Sequence, residues 1–177
     1  MTAPDSLPRP PRQLILGTPE HLIAFGFGAG LARKAPGTWG TLVGVPFFLA
    51  MMWLPLPAYV GAVLLLFAFG CWVCGESARL LGVHDYGGIV FDEIVGFLIA
   101  ALPLLLWPPR GAMGSVVALV AVFALFRLFD IWKPWPIRLL DRRVHGGLGI
   151  MIDDALAGVF AALALGGLLR GTAALVK

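Results

Sequence analysis

Apolar positions along this 177-residue chain come in long runs and do not alternate with polar ones. Thr18-Pro19-Glu20 offers a hydroxyl N-cap and a proline at the first helical position, so a helix is expected to begin there. The run after it, HLIAFGFGAGLA, is too short to cross a bilayer and is interrupted by Gly26, Gly28 and Gly30. It reads as a short helix lying on the membrane or dipping into it. Five longer apolar segments follow, at about 41–56, 58–81, 89–107, 113–133 and 153–169. A bilayer core takes about 20 helical residues, so several of these reach across only with their charged ends included. Pro134 and Pro136 stop the fourth, because proline disfavours helix in the residue before it. The pattern predicts an all-α, polytopic helical membrane protein: about five spanning helices plus a short N-terminal interfacial or re-entrant helix. Residues 1–17 are expected to be a disordered tail, with no signal-like apolar core behind them, and 18–177 a single helical membrane domain. A compact, very apolar helical protein that does not fully span is the alternative.

Composition strengthens the membrane reading. The chain is 59% hydrophobic and 13% charged, against about half and a quarter in soluble domains. Its net charge of +3 suggests no nucleic-acid surface. Placement of the charges says more than their sum. Five spans put Arg9, Arg12, Arg33, Lys34, Arg79, Arg127, Lys133, Arg138, Arg142 and Arg143 on the side of the N-terminus. They leave Arg110, Arg170 and Lys177 on the other. An excess of Lys and Arg marks the cytoplasmic side, so the N-terminus and these loops are expected in the cytoplasm.

All ten acidic residues fall on that same side. Asp92 and Glu93 open the third segment, Asp130 lies near the end of the fourth, and Asp153 and Asp154 open the fifth. Ionisable groups at the edge of a membrane are costly and usually functional. Carboxylates that converge repel one another unless a cation neutralises them, and oxygen ligands of this kind suit Mg²⁺ beside a substrate phosphate. Asp92 or Asp153 could equally be helix N-terminal acids favoured by the macrodipole, and Arg127 with Asp130, at i and i+3, a structural ion pair. Asp92 and Glu93, adjacent and so about 100° apart around a helix, are not expected to face one metal in the same way.

Anion-binding features surround these acids. The loop ARKAPGTWGT, residues 32–41, joins two cations, two glycines and two threonines to a helix start, which is the make-up of a phosphate site. Lys34 and Thr38 are its candidate phosphate contacts. The stretch after the fourth segment adds Lys133, Arg138, Arg142, Arg143 and His145, with Trp132 and Trp135 as interfacial anchors. Other chemistries are disfavoured. Cys74 to Arg79 is one residue short of the C-x5-R spacing of cysteine-dependent phosphatases, and there is no D-x-D-x-[TV] nucleophile or G-x-x-x-x-G-K-[ST] loop. His21, His84 and His145 are too scattered for a zinc motif, and Cys71 and Cys74 read as structural thiols within an apolar run.

The segments KAPGTWGT (34–41), IVFDEIVGF (89–97) and FRLFDIWKPWPIRLLDRRVHGGLGIMIDD (126–154), followed by ALAG, resemble the phosphatidylglycerophosphatase A family. The resemblance covers roughly 22–165, and Tyr86 departs from it where Pro or His is expected. It implies a membrane phosphatase domain performing Mg²⁺-dependent hydrolysis of phosphatidylglycerophosphate to phosphatidylglycerol and inorganic phosphate, in a bacterial cytoplasmic membrane. Carried over by position, the functional candidates are Lys34, Thr38, Asp85, Asp92, Glu93, Asp130, Lys133, Asp153 and Asp154. On that reading Asp92, Glu93, Asp130, Asp153 and Asp154 would hold metal, and Lys34, Lys133, Arg138 and Arg143 would meet the phosphate. A remaining carboxylate would activate water or attack directly, and His145 or a metal-bound water would protonate the leaving group. A cation-coupled transporter and a non-catalytic lipid-binding protein are the rival readings. The oligomeric state stays open, since Gly26-x-x-x-Gly30 could pack helices within one chain or between two.

Overall fold

The structure is a computed structural model and describes residues 10–83 and 86–175, with Arg142 and 172–175 described by their backbone alone. Asp85, His84 and tail residues 1–9 lie outside the described residues. Every regular element among the described residues is helical. In chain order these are α1 (Arg12–Gly17), α2 (Pro19–Ala24), α3 (Pro36–Met51), α4 (Leu56–Leu81), α5 (Phe91–Ala100), α6 (Pro103–Leu106), α7 (Gly111–Trp132), α8 (Ile137–Arg143) and α9 (Gly146–Leu175). A tight 3-10 stretch, Gly26–Leu31, links α2 to α3.

Among the described residues three stretches are long and apolar enough to cross a membrane: Leu56–Leu81, Gly111–Trp132 and Gly146–Gly171. The first two lie within a few residues of the expected segments, and α7 ends just before the Lys133-Pro134 pair. The outward faces of α4 and α7 expose Leu64, Leu65, Val116, Val117 and Val120. Such apolar faces have no partner within the chain, which fits a lipid solvent.

The remaining two segments differ from expectation in ways the prolines explain. The helix expected over 41–56 begins instead at Pro36, after Ala35 in a left-handed conformation (φ 47°), and stops at Met51. Proline at the first helical position needs no N–H partner, so the helix starts there. The segment expected over 89–107 is broken in two. Pro103 offers no N–H to Ile99, and the Ile99 carbonyl accepts from Leu102 at 3.2 Å instead. That tighter turn takes the Leu102 donor from the Leu98 carbonyl, which accepts from the Tyr59 hydroxyl at 2.7 Å. Tyr59 is fully buried and thereby ties the start of α4 to the end of α5.

Two further corrections apply. Residues 12–17, expected in the disordered tail, form α1, whose Ile15 is fully buried; the apolar trio Leu14-Ile15-Leu16 gives that turn a core to join. The final helix begins at Gly146, so Asp153 and Asp154 lie well inside α9 and do not open it. A macrodipole role for Asp153 is thereby removed.

α5 and α9 form the centre, with α3, α4 and α7 packed around them. Glycines set the closeness. Gly37 and Gly44 of α3 lie against Glu93 and Phe97 of α5, and Gly40 lies against Val90 just before it. Gly96 of α5 and Gly158 of α9 bring those two backbones into contact, and Gly147 lies on the Cys71 carbonyl and on Gly75 of α4. A side chain at any of these points would hold the helices apart, and with them the acids they carry.

Candidate functional site

The start of α3, the start of α5, the end of α7 and the first turns of α9 meet at one end of the bundle. Asp92 and Glu93 occupy the first turn of α5, and the Asp92 carboxylate accepts the Glu93 N–H at 3.1 Å. Asp154 comes across from α9, brought there by the Gly96–Gly158 contact. One carboxylate oxygen from each of Asp92, Glu93 and Asp154 lies within 4.8 Å of the other two. Adjacent residues on a helix thus do address one point, and the extra methylene of Glu93 accommodates the angle between them. Asp154 is 3% exposed. Its Oδ2 and the Oε2 of Glu93 are buried without a hydrogen-bond partner among the described residues. Burying ionised oxygens unpaired costs several kcal/mol or more, so this geometry calls for a cation or protons.

Two ion pairs flank the cluster. Arg127 of α7 pairs with Asp130 at 2.5 Å and reaches Glu93 at 3.8 Å. Lys133, just past the end of α7, donates to Asp153 at 2.6 Å and to Asp141 of α8 at 2.9 Å. Lys133 adopts a left-handed backbone (φ 44°), a conformation that costs a non-glycine residue about 1–2 kcal/mol. That turn sends the chain away from α7 while its side chain reaches back to α9. Burial works against the Lys133 charge, but Asp153 and Asp141 outweigh it and raise its pKa above the ordinary lysine value. Five carboxylates therefore crowd this end against two internal cations, and one of those cations is shared with Asp141.

The expected site residues divide accordingly. Asp92, Glu93 and Asp154 come together; Asp130 and Asp153 sit beside them, each held by a basic side chain. Thr38 is half-buried in the first turn of α3, next to Gly37. Lys34, Arg138 and Arg143 are exposed and form no ion pair with a described carboxylate. Arg138 shares a recess of about 430 Å³ with Trp132, Lys133 and Trp135. His145 is exposed, with Nδ1 3.1 Å from the Arg143 carbonyl.

Sequence reasoning counted Gly37 only as part of the phosphate loop, gave Asp141 no role, and gave Arg127 only its pairing with Asp130. A Cβ at Gly37 would collide with the Glu93 carboxylate and come within 3.0 Å of Arg127 Nη1. The spacing of Gly37, Gly40 and Gly44 on one helix face was the available signal. Asp141 had none, since its pairing with Lys133 depends on how α8 folds back.

Membrane-length helices with a buried carboxylate cluster at one end define a helical membrane protein carrying an acidic site. A sequence model of phosphatidylglycerophosphatase A matches residues 22–169. Phosphatidylglycerophosphatase A of Escherichia coli (strain K12) is 45% identical over 152 residues, covering 85% of this chain and 83% of that protein. The protein of the same name from Haemophilus influenzae is 42% identical over 157 residues, covering 87% and 91%. A Bacteroides thetaiotaomicron relative, 38% identical over 144 residues and covering 78% and 86%, is named provisionally as a phosphatidylinositol-3-phosphatase. No solved structure matches the chain at comparable stringency. The chain belongs to the phosphatidylglycerophosphatase A family. It is accordingly an enzyme, a phosphoric monoester hydrolase.

Proposed function

We propose that this enzyme hydrolyses the terminal phosphate monoester of phosphatidylglycerophosphate, giving phosphatidylglycerol and inorganic phosphate, with Mg²⁺ as cofactor. One observation carries the reading: Glu93 and Asp154, each with a buried oxygen that lacks a hydrogen-bond partner among the described residues, bring a carboxylate oxygen within 4.8 Å of one from Asp92 in a chain whose relatives bear that enzyme's name. An all-oxygen, anionic donor set fits a hard divalent cation. Asp92, Glu93 and Asp154 would hold it, with Asp130 and Asp153 as further acids at its edge. Bound there, Mg²⁺ would supply Lewis-acid polarisation of the phosphate and an acidified water.

The chain's own groups do the rest. Arg127 holds Glu93 and Asp130 in place, and Lys133 does so for Asp153. Lys34, Arg138 and Arg143 draw an anionic headgroup toward this end, and the Thr38 hydroxyl in the first turn of α3 offers a phosphate contact. A carboxylate either activates water or attacks phosphorus directly, and His145 protonates the departing alkoxide. In this reading α3 and α5–α6 also cross the bilayer, so that the chain passes it five times. The site then faces the cytoplasm from the inner membrane of a bacterium.

The test is detergent-purified protein with phosphatidylglycerophosphate, phosphate release being measured with Mg²⁺ and with EDTA. Release is expected with Mg²⁺ and not with EDTA; no release under either condition overturns the reading.

A further inference from the structure

Below the carboxylate cluster an apolar groove of about 780 Å³ runs between α4, α5–α6 and α9. That size suits an organic ligand, for which pockets run about 300–1,000 Å³. α4 and α9 touch at Gly75 and Gly147 near the acidic end. Further along, Ala155, Ala162 and Gly167 of α9 and Leu64 and Phe67 of α4 line the groove. Arg170 is the charged residue in its lining and sits at the far end, its guanidinium 5.5 Å from the centre of the Trp107 ring.

We propose that this groove seats an acyl chain of the lipid substrate and reads its length. The inference rests on the lipid-phosphatase reading above. Continuity with the site is the first argument. The groove begins at Ala155, the residue after Asp154, and Ile99 lines it from the same short helix that carries Asp92 and Glu93. Length is the second. From Ala155 to Gly167 the helix rises about 18 Å at 1.5 Å per residue, against roughly 15 Å for one leaflet of a 30 Å hydrocarbon core. The groove is therefore long enough to take about one leaflet's depth of acyl chain. The third argument is chemical. Apart from Arg170 the lining is apolar, so a polar ligand would lose its water with nothing in exchange.

The structure supplies its own plugs. Beyond its own turn of helix, no described atom lies within 4 Å of a Cβ built on Gly167, an exposed residue of the lining, so Gly167→Phe adds bulk there without a Cβ clash. Replacing a mid-helix glycine does not weaken the helix. Ala162→Phe blocks it higher up, about 12 Å along α9 from Asp154. Wild type and both variants are assayed in mixed micelles with Mg²⁺ on dihexanoyl and dipalmitoyl phosphatidylglycerophosphate. Ala162→Phe is expected to raise KM for the dipalmitoyl lipid about tenfold or more, a few methylenes' worth of apolar contact. It should leave the dihexanoyl lipid unchanged, and Gly167→Phe should act in the same direction by less. Retained turnover of the short lipid shows that each variant is folded; if Ala162→Phe loses both lipids, Gly167→Phe decides. Equal effects of Gly167→Phe on both lipids, or no effect of either variant on either lipid, overturn the groove assignment. Failure of the wild type on both lipids overturns the phosphatase reading, and the groove assignment with it.

Discussion

Gly37, in the first turn of α3, lies against the carboxylate of Glu93, in the first turn of α5, with no room for a Cβ between them. Glu93 is thus held by backbone on one side and by Arg127 on another. Gly37→Ala should push Glu93 off the Asp92–Asp154 point. Phosphate release should fall by about 10²-fold, the scale expected for a misplacement near 1 Å, while the protein still inserts and melts cooperatively. Wild-type turnover in Gly37→Ala would show that Glu93 needs no such seat.

Asp154→Asn and Glu93→Gln remove one acid each from a cluster with unpartnered buried oxygens. Activity should drop by about two orders of magnitude or more. A second readout is independent of turnover. A ligand at 100 times its Kd stabilises the folded state by about 2.7 kcal/mol, so Mg²⁺ should raise the wild-type Tm and leave that of either variant nearly unmoved. Without Mg²⁺ both variants should melt at or above the wild type, since an uncompensated buried charge is gone. Equal Mg²⁺ stabilisation of wild type and variants would remove these residues from the metal site.

Lys133 bridges Asp153 and Asp141 from the turn after α7. Lys133→Met strands Asp153, which is 8% exposed. The loss should be on the order of 2–3 kcal/mol, below the full cost of breaking a buried pair because Lys133 is partly solvated. Adding Asp153→Asn should restore much of it, which a double-mutant cycle in denaturant measures. Simple additivity would mean that the pair is not coupled.

His21 shares a 2.8 Å hydrogen bond between its Nδ1 and Ser77 Oγ, joining α2 to α4. Burial lowers its pKa, and the neighbouring Glu20 opposes this only in part. The sign follows. The unfolded chain binds the proton more readily, so this contribution is complete above an ordinary histidine pKa of about 6.5 and declines as pH falls toward the folded value. Wild-type Tm should decrease from pH 7.5 to pH 5 by more than that of His21→Gln. Parallel curves would show that His21 does not titrate between the two states.

Much of the architecture was readable from the chain. The long apolar runs of α4 and α7 announced themselves because a lipid-facing helix needs no partner to define its polarity. Interruptions were harder to see. Pro103 sits inside an unbroken apolar run, and only the Tyr59–Leu98 bond explains why the break there is tolerated. The start of α9 was set two turns late, since Gly146-Gly147 looks like a loop until Gly147 is seen pressed against α4.

By itself the sequence determined that the chain is helical, that the acids at 92–93, 130 and 153–154 lie at or near the ends of long apolar runs, and which family it joins. Those properties follow from composition and order along the chain. Only tertiary structure decided that Asp154 joins Asp92 and Glu93 while its neighbour Asp153 turns to Lys133. Successive helical residues point about 100° apart, and which of them faces a partner depends on where glycines let two backbones touch.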